Sequence, residues 1–351
     1  MTTTMLDDRS VTPKRRHPRA LVATASLAVA LVLCVLIGLS VGSSAMSIGD
    51  LLRTLTGDGT SGEQLIVFDL RMPRVAGAVV IGASLAIAGA LTQTFARNPL
   101  ASPDILGVTS GASLGAVAAI VLAGGTYSVG AGLLSVGVPL AAVIGAVIAA
   151  ALIYALAWRD GVDTYRLILI GIGLTAMFGG VTSYLIARAQ ISAAATAAQW
   201  LVGSLSGISW ASVWPVVIVL VVVLPIALLQ TKNLDISQLG DEMPVALGVS
   251  VQRHRLVVIA CAVVLTAAAV SAGGPIEFVA FVAPQIARRL GGYGRPPLIA
   301  SALMGAIIVA GGDAITRGTP LTVPVGIITA IIGAPYLIWL LTRRSSKGST
   351  A

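Results

Sequence analysis

The chain has 351 residues, 56% of them hydrophobic and only 10% charged, with a formal net charge of +8 and a mean hydropathy of +0.96. So few polar side chains cannot cover the surface of a water-soluble globule, which excludes that class and indicates a polytopic, all-α membrane protein. The positive balance does not indicate nucleic acid: basic residues sit singly or in pairs between apolar runs, with no stripe of interleaved aromatics.

A membrane span needs about 20 apolar residues, and spans are read here from charge to charge, with Gly, Pro and polar clusters as breaks. Lys14-Arg15-Arg16-His17-Pro18-Arg19 precedes an apolar run from Ala20 to Val41, and Ser44-Ala45-Met46 imitates a cleavage site. That run of 22 residues exceeds a signal-peptide core of about 7–15, so 20–41 is expected to be a retained first span. A polar segment, 42–70, carries Asp50, Asp58, Glu63 and Asp69, and the second span follows at 74–96. Between Asp104 and Arg159 lie 54 uncharged residues, enough for two spans with a turn near Gly124-Gly125. Further spans are predicted at 166–187 and 212–230, with a short interfacial helix at 197–207 between them. A polar connection, 231–255, leads to spans at 256–273, 276–290, 298–314 and 325–342, ten in total. The eighth is short and contains Pro284, so a tilted or partly re-entrant course is expected, tolerated only where protein or a cavity covers the backbone.

Orientation follows from Lys and Arg. With the amino terminus inside, 17 fall on inner segments and 5 (Arg53, Arg71, Arg74, Arg188 and Arg317) on outer ones, which predicts both termini in the cytoplasm. The chain then divides into a basic tail at 1–19, a ten-helix permease domain at 20–344 and a short tail at 345–351. Gly82-Ala-Ser-Leu-Ala86 and Gly111-Ala-Ser-Leu-Gly115 place small residues four apart, a pattern for tight helix packing.

Arg71 and Arg74 share one helix face at the outer start of the second span, with Pro73 at a first-turn position. They could meet carboxylates of a partner or snorkel to headgroups, and Arg317 could join them or pair locally with Asp313 four residues back. At the inner end, Asn98-Pro99-Leu100-Ala101-Ser102-Pro103 forbids a continuous helix, which makes either a rigid connection or a turn that presents side chains to a pore. The long inner connection contains Leu239-Gly-Asp-Glu-Met-Pro-Val-Ala-Leu-Gly248, a docking element for a cytoplasmic partner or a solvated loop. No Gly-Lys-Ser/Thr phosphate loop occurs, so the chain is not expected to hydrolyse ATP and is read as no enzyme. Two cysteines, Cys34 and Cys261, and two histidines, His17 and His254, assemble no metal site, and no cofactor is expected. Glu277 and Asp313 are expected near outer ends, which gives little support to an ion-coupling relay inside the bilayer.

These motifs resemble those of the permease subunits of ATP-binding-cassette importers for iron-siderophore complexes, haem and vitamin B12. The likeness covers about residues 65–344, through Arg71-Met-Pro-Arg74, Arg97-Asn-Pro-Leu-Ala, Leu106-Gly-Val-Thr-Ser-Gly-Ala, Trp200-Leu-Val-Gly-Ser-Leu, Leu239-Gly-Asp-Glu, Gly274-Pro-Ile-Glu-Phe-Val, Ile286-Ala-Arg-Arg-Leu and Pro324-Val-Gly-Ile-Ile-Thr-Ala-Ile-Ile-Gly-Ala-Pro. The resemblance implies a bacterial cytoplasmic-membrane assembly of two permease subunits, identical or paralogous, with two ATP-binding subunits inside and a substrate-binding protein outside. It assigns binding-protein docking to Arg71, Arg74 and Arg317, and a cytoplasmic gate to Asn98, Leu100, Thr164 and Tyr165. ATPase coupling falls to Leu239, Gly240, Asp241, Glu242, Ala246, Leu247 and Gly248. Gln285, Glu277 and Tyr165 depart from the family's usual His, Gly and smaller residue. The expected cargo is a ferric siderophore, with cobalamin or haem as the alternative, and an ion-coupled secondary transporter as the alternative class.

Overall fold

The computed structural model of the chain describes residues 18–42, 46–122, 132–158, 164–238, 240, 250–319 and 323–345. Among these residues the fold is all-helical. In chain order the helices are α1 (Pro18–Ser40), α2 (Ile48–Leu55), α3 (Ser61–Phe95), α4 (Val108–Leu122), α5 (Gly132–Ala157), α6 (Thr164–Arg188) and α7 (Ile191–Leu201). They continue as α8 (Trp210–Leu229), α9 (Thr231–Ser237), α10 (Val251–Gly273), α11 (Val279–Gly291), α12 (Leu298–Gly318) and α13 (Val325–Ser345). Seven of the described helices are long and apolar enough to cross a membrane, and Val108–Leu122 and Val325–Leu340 are shorter apolar helices. Outward-facing Val29, Leu33, Leu140, Ile144, Trp214 and Ile218 are each at least 50% exposed. An apolar surface of that kind needs lipid against it, and the chain is a multi-pass membrane protein.

α3 is the axis of the bundle: α1, α8, α10, α11 and α12 all pack on it, and 83% of its most apolar window is buried. Small residues make this possible. A Cβ added to Gly82 would lie 2.3 Å from the carbonyl oxygen of Gly305, and one added to Gly305 would lie 2.2 Å from that of Gly82. The backbones of α3 and α12 therefore touch, gaining dispersion contacts where lipid supplies no hydrophobic drive for association. The same reciprocal approach joins α4 to α5, where a Cβ on Gly145 would stand 2.2 Å from the oxygen of Gly111. Both pairs fall on the small-residue patterns read from the sequence.

Outside the bundle, α2 and the start of α3 are held by local polar chemistry. The Ser47 hydroxyl accepts from Asp50 N at 3.1 Å. Thr60 and Glu63 form a reciprocal capping box, with Thr60 N donating to Glu63 Oε2 at 2.8 Å.

Two departures from the sequence reading shape the centre. The short helix expected at 197–207 lies instead at Ile191–Leu201, ended by Gly203 and Gly207, both at positive φ. The turn after it packs on the end of α10, with Ser204 N donating to Gly273 O at 2.9 Å. The eighth span, expected at 276–290, is helical only over Val279–Gly291. Its 13 residues reach about 20 Å at 1.5 Å each, short of a hydrocarbon core of about 30 Å. Gly274 to Phe278 is consequently non-helical backbone inside the bundle. The chain after α3 behaves alike: a turn at 98–101, one turn of 3₁₀ helix at Pro103–Leu106, and then α4 of only 15 residues.

Candidate functional site

At one end of the bundle residues 66–74 of α3 and the approach to α13 meet the last turns of α1 and α12, and the three expected outer arginines come together. Asp313, 1% exposed, receives Arg74 Nε at 2.9 Å on one oxygen, and Arg317 Nε stands 2.9 Å from the other. Arg71 Nη1 donates to Leu39 O at 2.7 Å and Ser40 O at 3.0 Å. Arg317 Nη1 donates to Gly38 O at 2.7 Å and Val41 O at 2.9 Å. Two guanidinium groups thus cap the carbonyl end of α1, where unsatisfied acceptors and the helix dipole both favour cations. All three arginines line a recess of about 630 Å³ together with Gln199, Ser204 and Thr316. Arg74, with a side chain 24% exposed, is the more open of the Asp313 partners. The local Arg317–Asp313 pair was foreseeable from i, i+4 spacing. The Arg74–Asp313 contact, 239 residues apart, was not.

At the other end of α3 the chain reverses through Arg97, a non-glycine residue at φ 48°. Asn98 N donates to Gln93 O at 3.1 Å, and its side-chain oxygen accepts from Leu100 N at 3.0 Å, an Asx turn that fixes the loop. Asn98 therefore builds the turn, while Leu100 faces the central cavity. Tyr165 is 78% exposed at the start of α6, apart from that turn, and the side chain of Thr164 lies outside the described residues. Gln238 Nε2 donates to Thr94 O at 2.8 Å, which ties the end of α9 to the last turn of α3. Gly240 follows at φ 114°; Leu239, Asp241, Glu242, Ala246, Leu247 and Gly248 lie outside the described residues. Gln285 donates to Gln93 Oε1 at 2.6 Å, and Gln93 in turn donates to Phe281 O at 3.0 Å, so this departure from the expected His is a buried amide pair that joins α11 to α3.

Between the two ends lies a cavity of about 800 Å³. Thr109, Ser110 and Ser113 of α4 and Thr175, Thr182 and Ser183 of α6 give it a hydroxyl-bearing wall. Leu100, Phe278, Phe281 and Leu337 supply apolar surface, and Asp104 and Glu277 complete the lining. The same two acids border an adjoining crevice with Leu85, Thr266 and Val270. Leu85 stands midway between Arg74 and Ala96, about 16 Å along the helix from Arg74 by the 1.5 Å rise. Glu277 is therefore at mid-depth and not at the outer end, the correction that follows from the start of α11 at Val279 in place of the expected 276. The sequence signal was present: each acid follows a proline (Pro103-Asp104, Pro275-Ile-Glu277) inside an apolar stretch. Among the described residues, Arg97 and Phe278 are the non-glycine residues at positive φ, one at each broken stretch. Irregular backbone at this depth is stable only where it is buried or lines a cavity, and local strain of this kind concentrates at functional positions.

Comparison with known proteins places these features in one lineage. The FecCD transport family matches residues 30–343. The chain is 38% identical over 331 residues, covering 94% of it and 98% of the relative, to the ferric enterobactin transport system permease protein FepG of Escherichia coli (strain K12). It is 40% identical over 286 residues, 81% of it and 75% of the relative, to the cobalamin import system permease protein BtuC of Halobacterium salinarum. A solved metal-chelate type ABC transporter in an inward-facing conformation superposes with a TM-score of 0.81 at 27% identity, over 91% of this chain and 98% of that one. With a family match that spans the bundle from α1 to α13, the chain belongs to the FecCD transport family, whose members are permease subunits of ABC importers.

Proposed function

We propose that this protein is the transmembrane permease of an ATP-binding-cassette importer that carries a ferric-siderophore complex into the cytoplasm. The reading has ten membrane-crossing helices (α1, α3–α6, α8 and α10–α13), both termini in the cytoplasm, and a permease domain at 20–344 between two tails. One observation carries it. Two broken stretches, 98–107 and 274–278, converge at mid-depth on one cavity, between an arginine-lined recess at one end and a loop tied to α3 at the other. Paired discontinuities at the midplane are the architecture of a substrate path.

In this mechanism a binding protein delivers the chelate to the recess, where Arg74, Arg71 and Arg317 attract its carboxylates. The cargo passes to the cavity, and Asn98, Leu100, Thr164 and Tyr165 close the inner exit until nucleotide binding moves the segment from Leu239 to Gly248. Two ATPase subunits supply the energy, and a second permease, identical or paralogous, supplies the facing half of the path. The relative named for ferric enterobactin supports an iron-chelate cargo, and the relative named for cobalamin supports a corrinoid as the second reading.

Reconstitution tests the proposal. Proteoliposomes that contain the permease, its ATPase subunits and its binding protein should accumulate a ferric siderophore only with ATP. Accumulation by the permease alone on an ion gradient would overturn it in favour of a secondary transporter, the class that the two mid-depth carboxylates would then serve.

A further inference from the structure

The cavity has a charge character that neither the family nor its named members assign. Among the described residues its lining includes Asp104 and Glu277 and no Lys, Arg or His. Asp104 is held in place, accepting from the hydroxyls of Thr109 and Ser102. The Glu277 side chain is exposed to the cavity and carries no hydrogen bond or ion pair among the described residues. Asp313 offers the contrast inside the same chain: that buried carboxylate is neutralised by Arg74 and Arg317, whereas among the described residues no cation pairs with Glu277. A charged group at this depth is costly and is retained for a ligand or a transported species.

A second, independent feature indicates a ligand. Ser113 of α4 and Thr182 of α6, 9% and 7% exposed, open on the cavity from neighbouring helices, and neither hydroxyl has a hydrogen-bond partner among the described residues. Buried polar groups are normally satisfied. Two unsatisfied hydroxyls on the wall of a space of about 800 Å³, within the usual range for small-molecule sites of about 300–1,000 Å³, fit a polar occupant.

Building on the importer reading above, we infer that this cavity is a charge-selective cargo site, in which Glu277 and Asp104 favour iron chelates that carry a protonated amine and oppose multiply anionic ones. The hydroxyls of Ser113 and Thr182 meet the oxygen-rich shell of the chelate, and the carboxylates read its net charge. The 38% identity to a ferric enterobactin permease would by itself suggest a tris-catecholate cargo, whose complex is strongly anionic, so the inference separates this chain from that relative.

The test uses the complete transporter in nanodiscs without nucleotide, and three probes: the ferric complex of desferrioxamine B, a trihydroxamate with a free ammonium group; the same complex with that amine acetylated, hence neutral; and a ferric tris-catecholate. The ammonium form should bind about tenfold tighter than its acetylated twin, the scale of one partly screened charge interaction, and the tris-catecholate weakest. Glu277→Gln should erase the difference between the first two, and Glu277→Asp, which keeps the charge, should restore it. Equal affinity for the two trihydroxamates in the wild type, a preference that survives Glu277→Gln, or binding of none of the probes would overturn the inference. The underlying reading fails separately, by absence of ATP-driven uptake of any ferric chelate whatever the binding order.

Discussion

Asp313 receives two guanidinium groups, one from Arg74 of α3 and one from Arg317 a turn further along its own helix. Taking such a charge out of lipid and water is tolerable only because both partners are in place, and removal of one side of a buried pair costs about 3–5 kcal/mol. Asp313→Asn should accordingly lower the midpoint of thermal unfolding in detergent and reduce yield, whereas an unchanged midpoint would show the cluster to be structurally idle. Glu63 gives a pH-dependent counterpart outside the spans. The hydrogen bond from the Thr60 backbone, then that with its side chain, and further the Arg53 guanidinium, together outweigh a smaller desolvation effect and hold its carboxyl below the ordinary range. A depressed folded-state value means that the contribution is complete above the unfolded value, about 4.3, and is lost as pH falls through the lower folded value. Hydrogen-exchange protection factors over 47–64, corrected for the intrinsic rate at each pH, should therefore fall on acidification below about pH 4.3, and Glu63→Gln should flatten that response. At this scale the sequence was partly legible: Thr60-x-x-Glu63 and Asp313-x-x-x-Arg317 are local patterns, but Arg74 to Asp313 and Asp104 beside Glu277 are products of tertiary folding and leave no local trace.

The helices themselves were legible because lipid imposes one rule, about 20 apolar residues per crossing, and each of the ten segments read from the sequence overlaps an observed helix. What hydropathy missed is where backbone stops being helical inside an apolar run. Residues 276–278 are as apolar as their neighbours apart from Glu277, so the non-helical entry to α11 is visible only through Gly273-Gly274-Pro275. Likewise α7 begins six residues before the expected position, 191 against 197, because Gly203 and Gly207 break the chain at a point where hydropathy continues. Packing between elements admits a sharp test. A methyl group on Gly82 meets the Gly305 carbonyl at 2.3 Å, and since neither is a movable side-chain end, α3 and α12 must part. Gly82→Ala should destabilise by about 1–3 kcal/mol, the cost of overpacking, measured by resistance to denaturation in mixed micelles. A neutral outcome would mean that the helices can slide, contrary to the reciprocal contact.

Over the whole molecule, the end of α9 is bonded to α3, and α3 touches most of the bundle, so motion at the segment after α9 has a direct mechanical route to the turn at Asn98. Thr94 O accepts both Gln238 Nε2 at 2.8 Å and Arg97 N at 3.2 Å. Gln238→Ala should weaken the link by about 0.5–2 kcal/mol, visible as fewer cargo molecules moved per ATP with hydrolysis preserved; an unchanged ratio would remove α9 from the transmission path. The arginine-capped end of α1 has a different consequence, for biogenesis. Arg317 reaches the Gly38 carbonyl across 279 positions, so a nascent chain that has inserted α1 and α3 still lacks the residues that complete that corner. Until α12 leaves the ribosome, Arg74 has no Asp313 and the tail of α1 has only Arg71. Translation intermediates halted before Leu298 should hold α1 loosely, open to protease and to cross-linking with insertion machinery, and should lock when the stretch through Arg317 is allowed to emerge.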